Sequence, residues 1–332
     1  MDERGRVRWG ILGTARIART ALLPALREAG DGVAWTVGGR DGEAARAWAE
    51  ANGVVRGAAG YEAVLEDREV DAVYIPLPNS LHAEWTVRAL DAGKAVLTEK
   101  PLTVSAAECE RVLAAARAPG ALLWEAFVFP FQPQMERLKA LLAEGAIGEV
   151  REIHASFRFR LGEGDDIRLR PELGGGALND VGCYPIHLAC LLFGREPEGA
   201  CAMARRAPTG VDLATHGVLA FGDGRRLLFG CGMDGPYDTF ARILGERGEI
   251  RLDNPYHPRP DHALWVRTGD GPWREERPTD HERSFTPALR HIHAVLRGET
   301  APAHLARHEA MATAQAMDAV RRAWAREGSP AG

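Results

Sequence analysis

Two stretches of this chain carry residue types that could move a proton. Ala95-Val96-Leu97-Thr98 is a short apolar run that stops abruptly at Glu99-Lys100-Pro101. Gly174-Gly175-Gly176-Ala177-Leu178-Asn179-Asp180-Val181-Gly182-Cys183-Tyr184-Pro185 joins three glycines to an acid and a phenol. Asp180 and Tyr184 are four apart, so on a helix they share one face. Pro185 cannot donate to residue 181, which makes the segment a first turn or a kinked helix. Reducing a ketone by hydride needs a proton donor at the developing alkoxide, and oxidising a carbinol needs the reverse. A tyrosine, with an ordinary pKa of about 10, does this near neutrality only beside a cation that stabilises its phenolate. Lys100 supplies that cation and a group to bind the substrate oxygen. Asp180 would orient the lysine or a substrate hydroxyl.

Such chemistry needs a cofactor site, and the elements around Lys100 outline one. In a parallel α/β sheet, ligands bind outside the carboxyl ends of the strands, where Lys100 falls. Val7–Leu12 is a β-prone run followed at once by Gly13-Thr14-Ala15-Arg16-Ile17-Ala18, a dinucleotide fingerprint with Ala15 in place of its second glycine. Apolar residues then recur at helical spacing, putting a helix N-terminus beside the loop. The strand Val33–Val37 ends in Gly38-Gly39-Arg40, where an acid would hold the ribose of NAD. Glycines leave room for a 2′-phosphate and a guanidinium grips one, so NADP(H) is expected over NAD(H). The alternative is a solvated Arg40 beside an Asp41 that caps the helix from Gly42 to Asn52. The strand 71–75 runs into Pro76-Leu77-Pro78-Asn79, with His82 opening a helix to Ala92 as a structural or ribose-side contact. Pro76, Leu77, Asn79, His82, Glu99 and Pro101 complete the expected cofactor contacts, and the Lys100-Pro101 bond is a candidate cis peptide.

The alternation of strands and helices makes residues 1–126 a doubly wound parallel sheet. From about 150 the pattern changes to alternating apolar and charged runs, with one helix from Asn179 to Phe193. Residues 127–302 therefore read as an α+β domain with a mainly antiparallel sheet, and 303–332 as a final helix packing back on the first domain. The 332 residues carry 41 Lys plus Arg against 46 Asp plus Glu, a net charge of -5. That balance disfavours nucleic acid as a partner. No run reaches the length of a membrane span, and the start shows no apolar signal. Five cysteines without a C-x-x-C pair point to reduced thiols in the cytoplasm. His291, His293, His304 and His308 lack acidic or thiol partners at ligand spacing, so no metal is expected. Arg168 and Arg170, before the glycine turn, are placed to meet a phosphorylated or nucleotide-linked sugar, or else are solvated.

Gly10-x-x-Gly13-x-Ala15-x-Ile17-Ala18, Pro76-Leu77-Pro78 with His82, Glu99-Lys100-Pro101 and the 174–185 motif resemble the glucose–fructose oxidoreductase / inositol dehydrogenase (Gfo/Idh/MocA) family along essentially the whole chain. The resemblance implies a Rossmann domain, a C-terminal α/β domain with an open sheet, and dimers or tetramers through that sheet. It also implies a catalytic and substrate-binding role for Lys100. Inositol-dehydrogenase-like members have histidine where Tyr184 stands, so this chain is similar to the tyrosine branch of dihydrodiol dehydrogenases and deoxysugar ketoreductases. Pro130 replaces a basic residue common in sugar- and diol-oxidising relatives, whereas Trp124-Glu125-Ala126 resembles those relatives. The expected activity is NADP(H)-dependent hydride transfer at a secondary alcohol or ketone of a sugar-like substrate, with Lys100, Arg168, Asp180 and Tyr184 as substrate contacts. An oxidising dihydrodiol or pyranose dehydrogenase is one alternative. A non-catalytic NADP(H) sensor is another, and it would need neither Lys100 nor Tyr184.

Overall fold

The computed structural model describes residues 1–2, 5–277 and 282–327, the last three by backbone only. Strands β1 (Val7–Leu12), β2 (Gly32–Gly39), β3 (Arg56–Ala59), β4 (Ala72–Ile75), β5 (Ala95–Thr98) and β6 (Leu123–Glu125) form one sheet in the order β3-β2-β1-β4-β5-β6. Every pairing is parallel. β4 and β5 are buried at every position, as central strands covered on both faces should be. The order reverses between β1 and β4, which makes their carboxyl ends the switch point where ligands bind.

Helices α1 (Leu23–Ala29), α2 (Gly42–Asn52), α3 (Glu62–Glu66), α4 (Asn79–Asp91) and α5 (Ala106–Ala115) connect these strands. α2 starts where Asp41 accepts the N–H groups of Glu43 and Ala44, so its carboxylate is committed to a cap. α4 begins three residues before His82, at Asn79, because the prolines of 76–78 end where a helical turn can start.

The second unit holds α6 (Pro133–Ala143), β7 (Val150–Arg160), α7 (Cys183–Phe193), β8 (Gly199–Arg206), β9 (Asp212–Phe221), β10 (Arg225–Gly232), β11 (Asp234–Gly245), β12 (Gly248–Leu252), β13 (Leu264–Thr268) and β14 (Arg274–Glu276). Its sheet runs β14-β13-β12-β11-β7-β10-β9-β8. All pairings are antiparallel except β7 with β10, where the chain re-enters beside β7 after α7 and the β8–β9 hairpin. Ile153, Leu219, Leu227, Ile243 and Ile250 turn inward and are completely buried. Glu249 meanwhile pairs with Arg242 at 2.6 Å and Arg251 at 2.8 Å.

Two expectations about the end of the chain need correction. The segment that returns to the first unit is 282–306, with α8 (Thr286–Leu296), rather than the last helix. Phe285, Ala288, Leu289 and Ile292 join the apolar core around Trp9, Ile11 and Leu97. The last helix, α9 (His308–Glu327), packs against β8 and α7 of the second unit. By contacts the first unit spans 1–102, 108–132 and 282–306, and the second the described parts of 103–107, 133–281 and 307–332. The boundaries at 126 and 302 are therefore too simple. Residues past 327 lie outside the described residues.

Candidate active site

In the first unit the expected cofactor residues gather at the carboxyl ends of β1, β2, β4 and β5. Gly13 follows β1 with φ +92°, and a Cβ there would lie 3.1 Å from Leu77 Cδ2. The position admits only glycine without strain, and Leu77 closes the loop from behind. Thr14, Arg16 and Ile17 are exposed beyond it, Ala15 is half-buried, and the helical run begins at Arg16. Gly39 is buried at the end of β2 while Arg40 is exposed, and no carboxylate among the described residues pairs with Arg40. The one neighbouring acid, Asp41, is engaged at the N-terminus of α2. These residues fit a dinucleotide bearing a 2′-phosphate: a glycine cradle at a helix start, and an open guanidinium where an acid would repel the phosphate.

Of the two readings of His82, structural or ribose-side contact, the geometry shows the structural one, an internal clasp, in place of the cofactor contact. It is 0% exposed. Its Nδ1 lies 2.8 Å from Pro101 O and its Nε2 2.8 Å from Leu77 O. Burial, against the pull of both carbonyls, holds the ring below its ordinary pKa. The neutral ring then donates to one carbonyl and abuts the other. It ties the loop after β4 to the turn after β5.

That turn presents Lys100. Tyr74 Oη–H donates to Glu99 Oε1 at 2.6 Å, and Lys100 N–H reaches Glu99 Oε2 at 3.2 Å. The Lys100-Pro101 peptide is cis. Leu102 N–H donates to Glu125 Oε1 at 2.8 Å. Glu125 has no role in the sequence reading beyond the Trp124-Glu125-Ala126 resemblance. Its 8% exposure pushes the carboxyl up to about 8.

In the second unit, Leu178–Gly182 is π-helical and continues into α7, with Pro185 in the first turn. Asp180 is half-buried and receives Arg168 Nε–H at 2.6 Å; Arg168 also pairs with Asp166 at 3.3 Å. Arg168 therefore orients Asp180, while Arg170 pairs with Asp165 at the exposed surface. Tyr184, 6% exposed, lies in an aromatic nest with ring centroids 5.2 Å from Phe157, 5.1 Å from Tyr256 and 5.6 Å from His257. Asn254 Oδ1 accepts the N–H groups of Tyr256 and His257 and so fixes the loop that supplies two of these rings.

Asp212 escaped the sequence reading. Its Oδ2 accepts Leu178 N–H and Thr215 Oγ1–H, each at 2.8 Å, which anchors the start of the helix that carries Asp180 and Tyr184. Its only sequence signal is an acid at the start of β9, far from the helix it caps.

A doubly wound sheet with a glycine turn at its switch point, and a lysine and a tyrosine suited to proton transfer, define the class of nicotinamide-dinucleotide oxidoreductases. Within that class this chain belongs to the Gfo/Idh/MocA family. Residues 7–127 match the oxidoreductase family model with an NAD-binding Rossmann fold, and residues 135–251 the GFO/IDH/MocA C-terminal domain. The chain is similar to a dTDP-3,4-didehydro-2,6-dideoxy-alpha-D-glucose 3-reductase of Streptomyces violaceoruber, 42% identical over 85% of this chain and 81% of that protein. It is 36% identical to a D-xylose 1-dehydrogenase (NADP(+)) of Haloferax volcanii, over 94% and 95% of the two chains. Among solved structures it matches KijD10, a 3-ketoreductase from Actinomadura kijaniata in complex with NADP and TDP-benzene. The TM-score is 0.87 at 33% identity, covering 96% of this chain and 98% of that one.

Proposed function

We propose that this protein is an NADP(H)-dependent oxidoreductase that reduces the ketone of a sugar-like, nucleotide-linked substrate, or runs the reverse oxidation. The observation that carries this reading is Lys100 at the carboxyl end of β5, its backbone N–H bonded to Glu99. Gly13, Thr14, Ala15, Arg16, Ile17, Gly39, Pro76, Leu77, Asn79 and Pro101 would hold the cofactor, with Arg40 on its 2′-phosphate. When bound, NADPH supplies the hydride. Lys100 would bind the substrate oxygen, and Tyr184 would protonate the developing alkoxide. Asp180, held by Arg168, orients the substrate hydroxyl. The likeness to a dTDP-sugar reductase and to KijD10 supports a nucleotide-linked ketosugar.

The test is cofactor affinity with turnover on nucleotide-linked ketosugars. Arg40→Ala is expected to weaken NADPH about 10- to 100-fold, the worth of charge-assisted bonds to one anion, with little change for NADH. Tighter binding of NADH than NADPH by the wild type would sink the cofactor assignment. The same reading makes the protein a cytoplasmic homodimer or homotetramer joined through the open face of the second sheet, supported by exposed Met203 and Val218 and by five unbridged cysteines. A monomer in sedimentation equilibrium would exclude the assembly.

A further inference from the structure

The carboxyl end of β6 carries an acid for which the reaction above has no use. Glu125 stands opposite Thr98 in the β5–β6 register, and Ala126 N–H donates to Thr98 O at 2.7 Å. Its Oε1 accepts Leu102 N–H. Leu102 lies two residues beyond Lys100, across the cis proline. Glu99 and Glu125 therefore hold the two sides of the turn that carries the ammonium: Glu99 through the Lys100 N–H, Glu125 through the Leu102 N–H. Any carbonyl could accept that bond. An interior carboxyl costs more to bury than an amide, so its presence in this position calls for a reason in charge.

Among the described residues, few charged and titratable groups are seen to act on it. Lys100 and Glu99, at the end of β5, act on it in opposite senses. Tyr74, from β4, is bonded to Glu99. His82, from α4, is kept neutral by burial. Burial dominates at Glu125 and pushes the carboxyl up to about 8. Near neutral pH it is protonated; above that value it adds a negative charge beside the turn that carries Lys100.

We propose that Glu125 is a positioning residue for Lys100, fixing the Lys100-Pro101-Leu102 turn through the Leu102 N–H and tuning the charge beside that turn. This rests on the role given to Lys100 above. An ionised Glu125 adds negative charge near Lys100 and so leaves less positive potential for an alkoxide on the substrate. Ketone reduction therefore slows as Glu125 ionises.

The experiment uses the full chain, two variants and two readouts. Glu125→Gln keeps a carbonyl for Leu102 but cannot titrate, whereas Glu125→Leu removes the acceptor. With NADPH and a nucleotide-linked ketosugar, wild-type kcat is expected to fall about tenfold as the pH rises through the inflection, the equivalent of one pKa unit of coupling. Glu125→Gln should match wild type at neutral pH and lose the inflection. Glu125→Leu should lose about 10- to 100-fold in kcat at every pH with KM little changed, the scale of a misplaced catalytic group. The second readout needs no turnover: the carboxyl 13C resonance that disappears in Glu125→Gln should titrate near 8 in the wild type. If no ketosugar turns over, the functional reading fails while this titration still decides the state of Glu125. An ordinary acidic titration of Glu125, or a Gln variant that keeps the wild-type inflection, overturns the proposal.

Discussion

The roles proposed for Tyr184 and Lys100 differ, and substitution should separate them. Tyr184→Phe removes a hydroxyl and leaves the ring in contact with Phe157 and Tyr256. Turnover should drop about 10²- to 10⁴-fold, the range for an acid–base group, with NADPH affinity unchanged. Lys100→Met should lose a similar factor and also raise KM, since the ammonium is proposed to bind the substrate oxygen. Steady-state kinetics on the active ketosugar checks both, and unchanged turnover in either variant would remove that residue from the mechanism. As candidates these two were legible in the sequence because each sits next to punctuation: Lys100 between a strand and a proline, Tyr184 after three glycines. Glu125 and Asp212 were not. Each acts through a bond to a backbone N–H, 23 residues away for Glu125 and 34 for Asp212, and no local pattern announces such a bond. For His82 the structural alternative was visible, but the two carbonyls it bonds come from loops that meet only in the fold.

At the scale of elements, the glycine turn before α7 is shaped by one buried acid. Gly176 has φ +109°, and a Cβ there would lie 2.3 Å from Asp212 Oδ1. Asp212 is 6% exposed and raised above the ordinary carboxylate range by burial, with Thr215 and Leu178 opposing. Gly176→Ala should therefore push Asp212 off the Leu178 N–H and unseat the helix that carries Tyr184. We expect a loss of about 1–3 kcal/mol in stability from the strained backbone. kcat should fall more than KM rises. Asp212→Asn keeps an acceptor for Leu178 and should fall between wild type and Gly176→Ala. Urea unfolding with kinetics tests the set, and a Gly176→Ala protein with wild-type kcat would refute the coupling. Regular elements such as β1 and α2 were readable from periodicity and capping alone. The start of α9 was not: 303–307 looks helical, but His304 adopts φ +53° and Ala306 N–H bonds Leu123 O, which hold these residues out of the helix.

Across the whole molecule the chain leaves the first unit, builds the second, and returns at 282–306 before ending in the second. Local patterns carry no record of such a path; long-range bonds do. Trp9 Nε1–H donates to His293 Nε2 at 2.8 Å, and His293 Nδ1 lies 2.5 Å from Asp31 Oδ1, so the returning α8 is bonded to β1 and to the turn before β2. This arrangement requires a neutral ring with its proton on Nδ1. Burial, against the pull of Asp31, lowers the His293 pKa. The folded state then binds fewer protons than the unfolded chain, so this contribution is complete above about pH 6.5 and lost as the pH falls through the folded value. Burial alone would raise Asp31, but bonds from His293 and Arg297 bring it below its ordinary value. Its contribution fades only below about pH 4, well clear of the histidine window. His82, His216 and His291 are lowered in the same direction and add to the acid loss. A comparison with Trp9→Phe isolates His293, because without the indole N–H the ring can accept a proton at Nε2 with less disruption. Wild-type unfolding free energy in urea should fall between about pH 7 and pH 5, whereas Trp9→Phe should start about 0.5–1.5 kcal/mol lower and lose less over that interval. An equal loss in both proteins would show that the Trp9–His293–Asp31 chain does not govern how α8 is held.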